Sequence, residues 1–206
     1  YGPVSPAATN RHSWGFWATQ GLKEQTELAR QRWHKWQIIT AERKVTQTAA
    51  SHPYCRLDSR DWLTHCLNII DGNIQQEPDN LPTPGTKPVF DSRPPNVPDG
   101  AMLQHFKGVE IKAAQPCFSP DTAILMDFRC DQSRGIHFIY LLPYSSTEAL
   151  VESTMLSPKR QNDEFYAEAI KTYLETYWAT GGWQVNHTEQ GCIPMAFVQP
   201  VNLDYL

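Results

Sequence analysis

Ile136-His-Phe-Ile-Tyr-Leu-Leu142 and Ala149-Leu-Val-Glu-Ser-Thr-Met-Leu156 are the stretches whose reading decides the fold. Each is a short run of β-branched, aliphatic and aromatic residues, and the Pro143-Tyr-Ser-Ser turn separates them. Working outward, Val109 to Ala113 and Ala123 to Cys130 read as further strands, with Gly135 as punctuation before Ile136. Four strands so closely spaced predict an antiparallel meander.

Helical patterns flank this heart. After Leu156, Phe165, Ala169, Ile170, Tyr173, Leu174 and Tyr177 form a broad apolar stripe, capped by Asn162 or Asp163 and ended by Gly181-Gly182. Two strands follow, Trp183 to Asn186 and Ile193 to Val198, with a Gly and a Pro in Thr188 to Met195 punctuating the passage from one to the other. Towards the N-terminus, Gln20 to Trp33 is helix-like behind a Thr19 cap, and Trp36 to Thr40 is a short strand. A further helix begins at Asp58 or Ser59, carries Trp62, Leu63, Cys66, Leu67 and Ile70 on one face, and stops at Asp71-Gly72. Turn residues dominate Glu77 to Pro98, interrupted by Val89-Phe90 as a buried strand end. The expected class is α+β, a sheet packed under helices.

Composition narrows the function. A net charge of −4 gives no basic footprint, which argues against a nucleic-acid partner. Cys55, Cys66, Cys117, Cys130 and Cys192 are odd in number and show no C-x-x-C pair. That argues against a disulfide scaffold or zinc site and for a reducing compartment. No signal peptide is visible, and no apolar run approaches the roughly 20 residues of a membrane-spanning helix. The P-loop, G-x-S-x-G, H-E-x-x-H and G-x-G-x-x-G motifs are all missing, which argues against most hydrolases and nucleotidases, and the seven histidines show no ligand spacing, so no metal site is expected.

What remains is a set of carboxylates in apolar segments. Glu152 shares a strand face with Leu150, Thr154 and Leu156. If that face is buried, the carboxyl is desolvated and keeps a proton near neutrality, as a general acid requires. A solvent-facing position or an ion pair is the alternative, and on pattern alone the commoner one. Asp127 shares a face with Leu125 and Arg129, which favours a local Asp–Arg pair; Glu189 sits in Thr188-Glu-Gln-Gly-Cys-Ile-Pro-Met195, either an ordinary turn or a place where backbone approaches a ligand. Seven Trp and eight Tyr could wall an apolar pocket or simply fill a core.

Several segments, in order, resemble the flavin-dependent lycopene cyclases of bacterial type. They are Asn10-Arg-His-Ser-Trp-Gly-Phe-Trp17, Trp33-His-Lys-Trp-Gln37, Tyr54 to Trp62, Val89-Phe-Asp-Ser-Arg-Pro-Pro95 and Gln104-His-Phe106. Leu125-Met-Asp-Phe-Arg129, Phe138-Ile-Tyr-Leu-Leu-Pro-Tyr-Ser145, Ala149-Leu-Val-Glu-Ser-Thr154 and Glu189-Gln-Gly-Cys-Ile-Pro-Met195 continue the series. The family's acidic motif often reads Glu-Glu-Thr or Glu-Asp-Thr; here Glu152-Ser153-Thr154 keeps only the first acid.

The resemblance implies redox-neutral acid/base closure of the ends of lycopene into carotene rings, an isomerase-type reaction of carotenoid biosynthesis. It implies Glu152 and Glu189 as catalytic groups and Asp127, Phe138, Tyr140, Pro143 and Thr154 as substrate contacts. Asp91, Arg93, Gly191, Pro194 and Met195 would contact FAD in its reduced form, reduced by NAD(P)H. The fold implied is part of an FAD/NAD(P)-binding-type architecture. In it residues 1–100 are a flavin-domain remnant, 101–190 an antiparallel-sheet substrate domain and 191–206 a return strand. Both ends read as truncations, so the flavin site is expected to be incomplete and the isolated chain inactive. The expected setting is cytoplasmic and peripheral to the membrane, with lycopene as the apolar partner. A flavin-dependent prenyl or carotenoid reductase or hydroxylase is the competing enzyme reading, and a non-catalytic apolar-ligand-binding module the competing non-enzyme one.

Overall fold

Side chains alternate across a strand, and both faces of Glu148–Ser157 are largely buried: Ala149, Val151, Ser153 and Met155 on one side, Leu150 and Thr154 on the other. A strand buried on both faces needs a cover on each. The computed structural model, which describes residues 11–70 and 99–195, shows what the two covers are.

The main sheet has seven strands in the order β10-β6-β9-β8-β7-β3-β4. These are β3 (Lys35–Ile39), β4 (Lys44–Thr48), β6 (Leu103–Ala113), β7 (Thr122–Asp127), β8 (Ile136–Pro143), β9 (Glu148–Ser157) and β10 (Trp183–Pro194). Every pair is antiparallel except β3 with β7. A second sheet, β1-β5-β2, joins Ser13–Trp17, Tyr54–Asp58 and Gln31–Trp33. Helix α1 is Lys23–Glu27, α2 is Ser59–Ile70 and α3 is Asp163–Tyr177. The class is α+β, as its strand and helix patterns imply.

Helix α3 covers one face. The Asn162 side chain accepts a hydrogen bond from the Phe165 N–H at 3.1 Å, and Asp163 and Glu164 place negative charge at the positive end of the helix dipole. Its stripe of Ile170, Tyr173 and Leu174 packs on Ile111, Ile139, Leu141 and Val151. Gly181 and Gly182, at φ +66° and +102°, turn the chain back into β10. The three-stranded sheet covers the other face. Trp33 of β2, 1% exposed, donates its indole N–H to the Pro143 carbonyl at 3.0 Å and packs with Ala123, Leu142 and Leu150.

Three expectations are corrected. The helix over Gln20–Trp33 shrinks to a 3₁₀ turn and the five residues of α1, and Gln31–Trp33 is strand. Helix preference is worth only tenths of a kcal/mol per residue, and the Arg30 N–H bonding the Arg56 carbonyl at 2.9 Å draws the chain into a sheet instead. The four-strand meander holds for β7-β8-β9, but β6 lies beside β9. With 11 residues, β6 matches the 10 of β9 and not the six of β7. Thirdly, Trp183–Pro194 is one strand where two were expected. Gly191 makes no turn there: a Cβ on it would lie 2.6 Å from the Phe106 ring, so its bareness seats that ring.

Strands β1, β4 and β5 were not anticipated. The helix end at Asp71-Gly72, the strand end at Val89-Phe90, the flavin contacts Asp91 and Arg93 and the stretch 196–206 lie outside the described residues.

Candidate functional site

Residues directly opposite in an antiparallel sheet share a face, so the registers of β8, β9, β6 and β10 define rows across the side away from α3. One row is Tyr140–Glu152–Gly108–Glu189. The row on one side is Phe138–Thr154–Phe106–Gly191, and on the other Leu142–Leu150–Glu110–His187. Six of the residues singled out in the sequence, Glu152, Glu189, Gly191, Phe138, Tyr140 and Thr154, therefore stand on one face of four neighbouring strands.

Above this face lies a cavity of about 410 Å³. Its floor includes Tyr140, Leu150, Glu152, Phe106 and Glu189; its roof is Ser13, Trp14 and Gly15 of β1 with Tyr54 of β5. The roof depends on glycine: a Cβ on Gly15 would lie 2.0 Å from the Tyr54 phenol oxygen. Tyr54 can thus lie flat against β1, edge-on to Trp17 at 5.2 Å between ring centres and stacked near Trp33 at 6.1 Å.

The two carboxyls differ in their surroundings. Burial pushes the Glu152 carboxyl up to about 8, the Thr154 hydroxyl opposes this by donating to Oε1 at 2.6 Å, and the Glu189 carboxylate adds to the rise. Glu189, 5% exposed, is also raised by burial, but it accepts the Ser13 backbone N–H at 2.7 Å, and His187 and Arg56 favour its ionised form. Burial and then the Glu152 charge raise the Tyr140 phenol to about 12, so it stays a neutral donor. At neutral pH the site presents a protonated Glu152 among aromatic rings, with a second acid held by donors beside it.

A charge network clamps the roof to the floor. Arg56 of β5 donates to Glu110 of β6 at 2.7 Å and to Ser13 Oγ at 2.9 Å. Arg11 also pairs with Glu110, and with Asp58 at 2.9 Å, while the Tyr144 hydroxyl donates to Glu110 at 3.0 Å. Sequence reading did not single out this network, because its members are far apart in the chain. Nor did it single out Gly108, although a lone glycine inside a strand run signals close approach of another group.

Other named residues fall elsewhere. Asp127 is fully buried on the α3 face, bonded to Arg129 at 2.6 and 2.9 Å and to the Tyr173 hydroxyl at 2.9 Å. That is the local Asp–Arg pair the alternation favours, and it does not line the cavity. Pro143 is buried and uses its carbonyl on Trp33. Phe138 backs Tyr140 edge-on at 5.2 Å. Pro194 ends β10, and Met195 after it is 54% exposed with its N–H on the Met102 carbonyl at 2.8 Å. A larger groove, about 520 Å³, runs along α3 between Arg129, Arg134, Glu164 and Glu168, on the side of the sheet away from the two carboxyls. Among the described residues no cluster of His, Cys, Asp and Glu could hold a metal ion.

Comparison with known proteins points the same way. The family described as "Lycopene cyclase protein" matches residues 82–203. A lycopene beta-cyclase of Paracoccus sp. (strain N81106 / MBIC 01143) is 35% identical over 96 residues, covering 46% of this chain and 24% of that protein. That of Pseudescherichia vulneris is 32% identical over 95 residues, covering 45% and 24%. The lycopene beta-cyclase of Pantoea ananas is 25% identical over 210 aligned residues, covering 93% of this chain and 54% of the relative. The chain therefore spans about half the length of one relative and about a quarter of the other two. In fold it is similar to a geranylgeranyl bacteriochlorophyll reductase-like protein of Thermoplasma acidophilum, with a TM-score of 0.57 at 10% identity, over 88% of this chain and 56% of that one.

Proposed function

The chain belongs to the lycopene cyclase family, and on that premise we propose that it carries the acid of a carotenoid-forming ring closure, with Glu152 as the proton donor. One observation carries this reading: a carboxyl raised to about 8 projects into a cavity of aromatic and aliphatic side chains. Protonation of a terminal alkene of lycopene makes a tertiary cation. A neighbouring double bond attacks it, and loss of a proton leaves the ring alkene, with no net redox change. Tyr140, Tyr54, Phe106 and Trp14 offer ring faces to such a cation and exclude water that would quench it. The reductase or hydroxylase alternative is not favoured, since the named relatives are cyclases.

Flavin and NAD(P)H enter this reading from the family alone. The described residues offer an apolar rim, with Ile193 48% and Met195 54% exposed. They do not fit a dinucleotide's phosphates: β5 enters α2 through Asp58-Ser59-Arg60, with no glycine-rich turn, and α3 starts after a side-chain cap. Among the described residues no helix is long and apolar enough to cross a membrane; contact with the bilayer surface is proposed from the apolar character of the substrate.

Glu152→Gln in the full-length enzyme, expressed in lycopene-accumulating cells, tests the reading. A general acid contributes roughly 10²–10⁴-fold, so cyclic carotene should fall at least ~100-fold with the protein still folded. Near-normal carotene output would remove Glu152 from the mechanism.

A further inference from the structure

Glu189 belongs to two concavities. It lines the apolar cavity with Glu152, and it also lines a polar cleft of about 320 Å³ that wraps the outer edge of β10. His12 is shared in the same way. Among the described residues Glu189 is the one carboxylate that touches both spaces.

The space between the two acids is shaped for traffic. They stand on β9 and β10, separated by β6, and the β6 residue between them is Gly108. A Cβ there would lie 3.2 Å from Glu189 Cγ and 3.5 Å from Glu152 Cβ. Both side chains thus flank a residue that has none.

We propose that Glu189 is the base of the ring closure, taking the ring proton that Glu152 does not supply and returning it across Gly108 or exchanging it with water in the outer cleft. This rests on Glu152 being the donor. The step balances without a further reagent. Glu152 gives its proton to the terminal alkene carbon and becomes a carboxylate. The C–C bond forms, and the ring carbon loses a proton to the Glu189 carboxylate as the alkene electrons settle. One proton then passes from Glu189 to Glu152, and both groups regain their starting states.

The surroundings fit opposite starting states, the pattern that separates an acid from a base in one site. Glu189 is met by the Ser13 N–H, by Arg56 of β5 and by His187 of its own strand; Glu152 has only the Thr154 hydroxyl and the repelling Glu189. The remaining groups around Glu189 are Glu110 and Lys107 of β6, Asp163 of α3, and Arg11 and His12 ahead of β1. Glu110 opposes ionisation of Glu189, but it is itself neutralised by Arg56 and Arg11.

The test uses full-length enzyme with lycopene in phospholipid vesicles, measuring rate against pH. Wild type should give a bell-shaped profile, its acidic limb set by the base and its alkaline limb by the acid. Glu189→Gln, checked for folding by circular dichroism, should slow turnover at least ~100-fold and abolish the acidic limb. A merely structural glutamate would change the rate but leave that limb in place, and a folded Glu189→Gln protein that keeps it overturns the proposal. Should that variant not fold, Glu189→Asp decides. A rate lowered at least tenfold with the acidic limb retained supports the base role, and a rate within twofold of wild type overturns it. Loss of activity in Glu152→Gln alongside either overturning result leaves the donor reading standing while the base assignment fails.

Discussion

Glu152 and Glu189 flank Gly108 on one face of the sheet, two acids on alternate strands with a bare backbone between them. The Glu189 charge raises the proton affinity of Glu152, and burial raises that of both carboxyls.

Gly108 should therefore resist enlargement. Its backbone is ordinary strand, so the cost of a side chain is steric: Leu150 Cδ1 and Glu189 Cγ both lie at 3.2 Å from a Cβ. Gly108→Ala should be tolerated with less than ~1 kcal/mol lost, whereas Gly108→Val should lose ~1–3 kcal/mol through overpacking. Urea denaturation of the two variants measures this, and carotene output should fall more steeply than stability in Gly108→Val.

Glu152 should make folding pH-dependent. Its folded pKa, about 8, lies above the ordinary 4.5, so the folded chain binds the extra proton between those values. Stability is then greatest below the unfolded value and declines as pH rises through the window to about 8, by on the order of 5 kcal/mol. Urea midpoints measured at roughly pH 5 and pH 9 should diverge in wild type and converge in Glu152→Gln. A smaller slope of the same sign should persist there, because Glu189 is raised as well.

Removal of Arg56 should loosen the roof of the cavity. It is 2% exposed, bridges the two sheets through Glu110 and bonds Ser13 and Gln31 of its own sheet. Arg56→Ala leaves Glu110 short of a buried counter-charge and should cost ~3–5 kcal/mol; replacing Arg56 and Glu110 together with Met should cost clearly less than that. Thermal unfolding of both variants separates the two outcomes.

Asp127 should matter for stability and not for chemistry. Asp127→Asn weakens a buried acceptor of Arg129 and Tyr173 and should lose ~1–3 kcal/mol. Product composition should be unchanged, because the residue lies beneath α3 on the far side of the sheet. A changed ratio of carotene to lycopene at equal protein level would contradict that placement.

Strands β7, β8 and β9 and helix α3 were legible because periodicity and caps act within a few residues. Glu152 was legible as a carboxyl on an apolar strand face, but whether that face met solvent was not, since its cover comes from residues 13–58. The same distance hid β1 and β5: Trp14-Gly15-Phe16 carries no turn signal or alternation that marks it as the roof of a site. Helix preference misled at Gln31–Trp33, where pairing with β5 prevails. Thr188–Met195 reads as a passage because Gly191 and Pro194 punctuate it, whereas both belong to one edge strand. Pro194 stands at its last residue, where a missing N–H costs least.

The register of β10 breaks between Val185, opposite Ile111, and His187, opposite Glu110. Asn186 is thus a supernumerary residue, and through it Trp183 and Val185 face α3 while His187 and Glu189, equally odd in number, face the cavity. Length variation has only one harmless address in this strand. A relative lacking Asn186 would be one residue shorter yet keep both acids opposed, since the pairs on either side would simply become consecutive. One residue more or fewer between His187 and Glu189 would turn the second acid under α3 and disarm the site with every functional side chain still present in the chain.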